Sequence, residues 1–390
     1  YLIDKICKNM KCQKICIIGD GLAGLVTAVT LKNLNIQVDL IYKKSKKEKT
    51  SDYRTTAISE NNYKFLKSKV DFKSKTLFWA SQNIDLFYEK NDKFFNFLKY
   101  QSKKQNSMYI FENEKFKKHL YKILKKGKNV NLINKKFKDL NFKECSIKID
   151  KKKINYDLII LCLGKNSKFY EKINKNRSIV KDYKEISITG AVKHNSRINN
   201  SSQFFLKEGP LAILPFKKNF FSFVWSISKD FHQNNIKKLK PLVKKKLINI
   251  LRSQSKFRIL KIQSFPLYLN LETKYFNKNV LILGQGIHSI HPIAGQGFNL
   301  ILRDIKKLSE LIDKKTRLGI AIKNSFLLKE FYDLRNPENT IIGLGNDLTN
   351  SFFKRNKILD PLKYLLLENI KNNQNLKKVS RIIADKGLLI

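Results

Sequence analysis

Apolar and polar positions alternate along this chain with periods that change from segment to segment. Ile15–Ile18 is a short β-branched run, followed by the glycine-rich turn Gly19–Gly24. Leu25, Ala28, Val29 and Leu31 then recur at helical spacing, and Val38–Tyr42 reads as the next strand, so Lys14–Lys44 predicts strand, turn, helix, strand. In "EKFKKHLYKILKK", Phe116, Leu120, Ile123 and Leu124 share one helix face, while residues 60–125 otherwise mix helical and strand-like pieces. Ile154–Ser167 predicts a buried strand ending in a turn. Ile186 to Ile227 alternates as strands do, with turns near Asn199 and at Lys217–Asn219. Asn279–Ile312 predicts strand, turn, loop and a long helix, and the remainder to Ile390 reads as lysine-rich helices broken by polar loops.

A strand followed by a glycine turn thus occurs at the start of the chain and again near Gly284. A nucleotide domain assembled from separated segments explains both. The expected class is α/β with an α+β insert. Residues 10–70, 110–175 and 275–320 form a Rossmann-like dinucleotide-binding domain. Residues 71–109 and 176–274 form an inserted, mainly antiparallel sheet domain for substrate, and 321–390 form a C-terminal helical region.

The apolar share of 42% is that of a globular protein. The formal charge of +47 raises the question of nucleic acid, but only ten of the 79 basic residues are arginine and the lysines are spread evenly. Arg is the better residue for bidentate phosphate and base contacts, so solvated lysine faces are expected and no nucleic-acid partner. An anionic membrane surface is the alternative attraction for such a surface. Cys7, Cys12, Cys16, Cys145 and Cys162 show neither metal spacing nor an even disulfide set, so no metal is expected. Reduced core cysteines fit a cytoplasmic setting, peripheral to the inner membrane at most, since no apolar run is long enough to span. Met10 reads as a natural start, with residues 1–9 adding nothing to the fold.

Two stretches carry chemistry. Gly19, Gly21 and Gly24 fit the dinucleotide fingerprint, in which a tight turn, close backbone approach to pyrophosphate and helix–strand packing each require a missing side chain. The acidic residue expected at the end of the second strand is absent: Tyr42 stands there, with Asp39 as a possible substitute acceptor for a ribose hydroxyl. Asp20, inside the turn, is expected to point to solvent. The second stretch is "HPIAGQGFNLILRD", His291–Asp304. Pro292 fixes a backbone angle, Gly295 and Gly297 let main chain lie flat against a ligand, and a helix beginning near Gly297 aims its positive end there. A reduced flavin, negative around N1 and the C2 oxygen, suits such a helix start, with the cofactor doing the chemistry.

Together with "DYRTTAIS" (Asp52–Ser59), "EGPLAILPF" (Glu208–Phe216), "FVWSI" (Phe223–Ile227), "LILGQGIHSIHPIAGQGFNLILRD" (Leu281–Asp304) and "FYDLRN" (Phe331–Asn336), these stretches occur in an order that resembles the ubiquinone-biosynthesis hydroxylases. These are FAD-dependent aromatic monooxygenases with a p-hydroxybenzoate hydroxylase-like fold. The resemblance spans Lys14 to about Phe353. It implies FAD as cofactor and NAD(P)H as reductant, with O2 and a prenylated phenol as substrates, the ring being hydroxylated by way of a flavin hydroperoxide. It implies that Gly19, Gly21 and Gly24 hold the pyrophosphate and that Arg54 reaches the cofactor. Gly284 and Gln285 would hold the ribityl chain and pyrophosphate. Pro292, Gly295, Gln296, Gly297, Phe298 and Asn299 would line the isoalloxazine.

Substrate walls are expected from Pro215, Phe216 and Trp225, and proton handling from His288 or His291. Tyr42, Leu163 and Gln285 stand where the family often has acids, and each removes an acceptor for cofactor hydroxyls. Two rival readings follow: a related flavin hydroxylase of a small soluble aromatic, or a degenerate, non-catalytic scaffold among other ubiquinone-biosynthesis proteins.

Overall fold

Ile15, Cys16, Ile17 and Leu158–Leu161 are shut off from solvent on both faces, the mark of strands at the centre of a parallel sheet. The computed structural model describes residues 13–43, 52–70, 72, 77–101, 106–165, 167–174, 178–196, 198–252, 257–324, 326–356, 359–373 and 375. Residues 1–9, Met10, Cys7 and Cys12 lie outside them.

The chain opens with β1 (Lys14–Ile18), α1 (Leu22–Leu31) and β2 (Gln37–Tyr42). Then come β3 (Thr55–Ser59), α2 (Glu60–Lys69), β4 (Trp79–Ser81), β5 (Asn83–Lys90), β6 (Lys93–Gln101), β7 (Met108–Glu112), α3 (Asn113–Lys125) and β8 (Val130–Asn134). A small antiparallel sheet follows in β9 (Phe137–Asn141), β10 (Ser146–Ile149) and β11 (Lys152–Asn155), before β12 (Leu158–Leu161) and α4 (Lys168–Asn174). The long sheet strands are β13 (Ser178–Lys193), β14 (Ser201–Leu206), β15 (Gly209–Lys217), β16 (Phe220–Ser228) and β17 (Arg258–Glu272), with α5 (Lys229–Asn235) and α6 (Leu239–Leu251) between the last two. β18 (Phe276–Asn277), β19 (Val280–Ile282), β20 (His288–Ser289), α7 (Gln296–Arg317), α8 (Leu327–Phe353) and α9 (Asp360–Asn372) complete the chain.

The first sheet has the order β18-β19-β12-β1-β2-β8, parallel except for its β18 edge. Its strands come from four separated stretches, as the doubled glycine turn implied. The second sheet, β20-β17-β13-β16-β15-β14-β5-β6, is antiparallel apart from the β14–β5 pair. A three-stranded sheet, β3-β7-β4, lies between them in the chain and contributes to the same cavity. α6 covers the far face of the second sheet with Val243 and Leu247, which pack among Trp225, Phe223 and Leu211.

Two local expectations change. The run Ile154–Ser167 breaks into β11 and β12 at Tyr156–Asp157, because both side chains are diverted into polar contacts: the Asp157 carboxylate accepts from Lys14 N at 2.7 Å and Tyr156 donates to Asp39 at 2.8 Å. Asp39 itself is buried and accepts from Asn131 and pairs with Lys14, each at 2.8 Å. Its acceptors are spent inside the fold, so it does not replace a ribose-binding acid.

Candidate active site

The end of β1 and the start of α1 form a turn that only glycine can make. Gly19 has φ +114°, and a Cβ there would fall 2.2 Å from the Cys162 carbonyl oxygen. A Cβ on Gly24 would fall 2.0 Å from the Gly19 oxygen, so this glycine lets the helix lie against the strand end. Gly21 differs: nothing lies within 4 Å of its Cβ position, and the space it leaves open belongs to a large cavity. No side chain caps α1 at Gly21, so its first N–H groups face that space.

The cavity measures about 830 Å³, and Gly21–Ala23, Gln285, His288, Pro292 and Gly295–Asn299 are among its lining residues. Gly295 sits in the left-handed region at φ +65°, and α7 starts on the next residue with no capping side chain. A second helix N-terminus therefore points its positive end into the same space. Asn299 fixes the geometry. Its Oδ1 accepts from Ser59 N (2.9 Å) and Asn62 Nδ2 (2.7 Å), and its Nδ2 donates to Gly295 O (2.9 Å). Asn299 lines the cavity, but its amide is spent on holding the cradle against β3 and α2.

Gly284 has φ +84°, and a Cβ on it would come within 2.9 Å of Ala23 Cβ, so the second glycine turn rests on the first turn of α1. Arg54 lines the cavity and is clamped in a fork by Asp52, Nε to Oδ1 and Nη2 to Oδ2 both at 2.8 Å, over the Phe265 ring. Nothing in the local spacing marks this clamp. Lys165, also on the wall, lies 3.8 Å from the Tyr268 ring centroid, and burial lowers its pKa. Burial pushes the Cys162 thiol up to about 12, so it stays protonated beside the turn.

Several expected positions are displaced. Tyr42 is not among the lining residues. Its ring packs edge-on against Tyr121, and Tyr121 donates to Asp20 at 2.7 Å. Asp20 is thereby tied to α3 instead of pointing free into solvent. Leu163 packs against the core of the first sheet, while its neighbours Cys162 and Gly164 line the cavity. Pro215, Phe216 and Trp225 do not line it either. Strand residues face alternate sides, and on β15 and β16 it is Ala212, Leu214 and Val224 that look into the cavity. Trp225 looks the other way into the core under α6, and Phe216, at a bulge, packs with Met108 and Ile110 behind the wall. The missed wall residues are Ile84, Leu86 and Tyr100 of the β5–β6 hairpin, and Met108.

The two histidines part company. His291 is fully buried, 2.9 Å from Glu185, and does not line the cavity. His288 does line it and lies 2.7 Å from Asp304 Oδ2. Burial works to raise the Asp304 pKa, but the charge of Arg335 and the contact with His288 outweigh it and hold the carboxyl below its ordinary value. No group of three or more metal-ligating side chains is found among the described residues.

Two uncapped helix N-termini, glycines where a Cβ would clash or fill ligand space, and an apolar far wall fit one elongated ligand with a phosphate-bearing part and a flat part. A family model described as an FAD binding domain matches residues 150–317. The chain thus carries an FAD binding domain, with FAD as its cofactor.

Curated relatives include monooxygenases and hydroxylases. Over 122 residues the chain is 35% identical to the ubiquinone biosynthesis monooxygenase COQ6 of Dictyostelium discoideum, covering 30% of this chain and 25% of that one. It is 30% identical over 167 residues to the 3-demethoxyubiquinol 3-hydroxylase of Escherichia coli, covering 42% and 41%. It is 29% identical over 167 residues to ubiquinone hydroxylase UbiL of Rhodospirillum rubrum, covering 41% and 38%. These alignments span less than half of each relative's length. Among solved structures, p-nitrophenol 4-monooxygenase PnpA of Pseudomonas putida matches with TM-score 0.76 at 13% identity, covering 95% of this chain and 97% of that one. PqsL of Pseudomonas aeruginosa, a probable FAD-dependent monooxygenase, matches with TM-score 0.70 at 15% identity, covering 92% and 100%. At such identities these two show a shared fold.

Proposed function

We propose that this chain is a monooxygenase that uses FAD, NAD(P)H and O2 to hydroxylate the ring of a prenylated phenol on the way to ubiquinone. The carrying observation is one continuous cavity. It joins the phosphate-type turn at Gly21, the cradle at Gly295–Gly297, and an apolar wall of Ile84, Leu86, Leu214 and Val224. The relatives' names, a ubiquinone biosynthesis monooxygenase and two ubiquinone-type hydroxylases, support the substrate class.

In this reading the N–H groups of the Gly19–Gly24 turn hold the pyrophosphate of FAD. Arg54, forked by Asp52, stands on the same cavity wall. Gly284 and Gln285 border the ribityl chain, and Pro292, Gly295, Gln296, Gly297 and Phe298 border the ring. Tyr42 stands apart from this set. When bound, FAD accepts hydride from NAD(P)H and activates O2 for transfer of one oxygen atom to the substrate ring. The chain's own task is to orient and to exclude water. The first turn of α7 stabilises negative charge on the flat part of the cofactor, and Leu214, Val224, Ile84, Leu86 and Met108 keep the ring-facing space apolar.

No helix among the described residues is long and apolar enough to cross a membrane. A chain with 79 basic against 32 acidic residues favours peripheral contact with an anionic membrane, where a polyprenyl substrate dissolves. Contact with other ubiquinone-biosynthesis proteins belongs to the same proposal.

A series of phenols with and without a prenyl tail tests the substrate class. NAD(P)H oxidation coupled to ring hydroxylation should rise with the tail. Equal or faster coupled turnover of short soluble phenols would move the reading to a hydroxylase of small aromatics, and absence of turnover with bound FAD would favour the scaffold.

A further inference from the structure

His288 is 2% exposed and lines the cavity, but only one of its ring nitrogens has a partner. Nε2 lies 2.7 Å from Asp304 Oδ2, whereas Nδ1 is buried and unpartnered among the described residues. Behind it, Asp304 Oδ1 accepts from Arg335 Nε at 2.7 Å and from Asn339 Nδ2 at 3.1 Å. Arg335 also meets Glu338, and Arg303 lies 3.5 Å from the same carboxylate. Two arginines therefore balance two carboxylates. A carboxylate only accepts, so in the neutral ring the one proton sits on Nε2. Nδ1 of that tautomer is a lone pair without a donor among the described residues.

Its place says which donor. The Gly284 turn that precedes His288 rests on Ala23 in the first turn of α1, and the Gly295–Gly297 cradle follows. A ligand with its phosphates at α1 and its ring at α7 brings the part that joins them into the cavity that His288 lines. In FAD that part is the ribityl chain, whose hydroxyls are donors. We propose that His288 Nδ1 accepts a hydrogen bond from a ribityl hydroxyl of FAD, and that Asp304, held by Arg335, is the positioning residue that sets the tautomer. The proposal rests on the FAD reading of the cavity. It supplies an acceptor from within, at a site where Gln285 offers no carboxylate. His291 also has an unpartnered Nδ1, but it does not line the cavity.

Flavins that differ only in the polyol test this. The purified apo-chain is titrated with FAD, riboflavin and lumiflavin, which lacks the ribityl chain, for the wild type, His288→Ala and His288→Asn. His288→Ala should weaken FAD and riboflavin about tenfold, the worth of one hydrogen bond, and leave lumiflavin unchanged. His288→Asn, whose side-chain oxygen falls near the Nδ1 position, should recover most of the loss. Equal weakening of all three flavins, or none, would overturn the proposal. Nitrogen NMR of the intact wild-type chain needs no variant. His288 Nδ1 should be unprotonated and shift with riboflavin but not with lumiflavin; a protonated or unresponsive Nδ1 would also overturn it. A wild-type chain that binds FAD but fails these tests removes only the proposal, whereas one that binds no flavin removes the FAD reading with it.

Discussion

Arg335 Nε donates to Asp304 Oδ1 at 2.7 Å, with both side chains almost wholly shut off from solvent, and this pair fastens α8 to α7 behind the cavity. Removing one member of a buried pair leaves the other uncompensated. Asp304→Asn should therefore cost about 3 kcal/mol of stability, measured by urea denaturation near neutral pH. A loss under about 1 kcal/mol would show the pair to be no stronger than a surface one.

The same pair sets an acid limit. Asp304 has a folded-state pKa below its ordinary value, so its contribution is present above the usual carboxylate range and is lost as pH falls through the folded value. Stability of the wild type should decline below about pH 4, and Asp304→Asn should flatten that decline. Parallel acid limbs for the two proteins would contradict this origin.

Two glycines of one motif should behave oppositely. Gly21→Ala places a methyl in open cavity space and should leave thermal stability nearly unchanged while weakening FAD about tenfold or more, since overpacking a site costs about 1–3 kcal/mol. Gly19→Ala drives a Cβ toward the Cys162 carbonyl from a positive φ and should cost more than about 2 kcal/mol of stability. Thermal melts and FAD titrations of both variants separate the two effects. Equal melts would show that the turn relaxes around the added methyl.

These glycines were readable from sequence because backbone sterics leave no alternative at Gly19 and Gly24. The wall of the cavity was not. On β15 and β16 apolar residues occupy both faces, one toward the cavity and one toward α6, so alternation carries no sign of which side faces the ligand. Choosing Trp225 over Val224 is a one-residue slip of that kind. The Asp304–Arg335 pair was also hidden: both strings that hold it were legible, but pairing across a helix-helix packing is not encoded in local spacing. Asp39 misled for a different reason, because a buried, fully partnered acid looks the same in sequence as a free one.

The corrected wall makes its own prediction. Val224→Phe should fill cavity space and lower kcat/KM for a prenylated phenol about tenfold, with little change in stability. Trp225→Ala should cost about 3–5 kcal/mol by emptying the core under α6. Steady-state kinetics and urea melts of the pair decide it; a Val224→Phe enzyme with wild-type kinetics would remove β16 from the substrate wall.

The central claim is that oxygen from O2 reaches the ring of a prenylated phenol held in this cavity. Mass spectrometry of the product formed by the FAD-loaded chain with NAD(P)H under isotopically labelled O2 measures it directly. The expected result is one labelled oxygen atom on the aromatic ring of the prenylated product. Oxidised nicotinamide and peroxide with an unlabelled, unchanged phenol would contradict it.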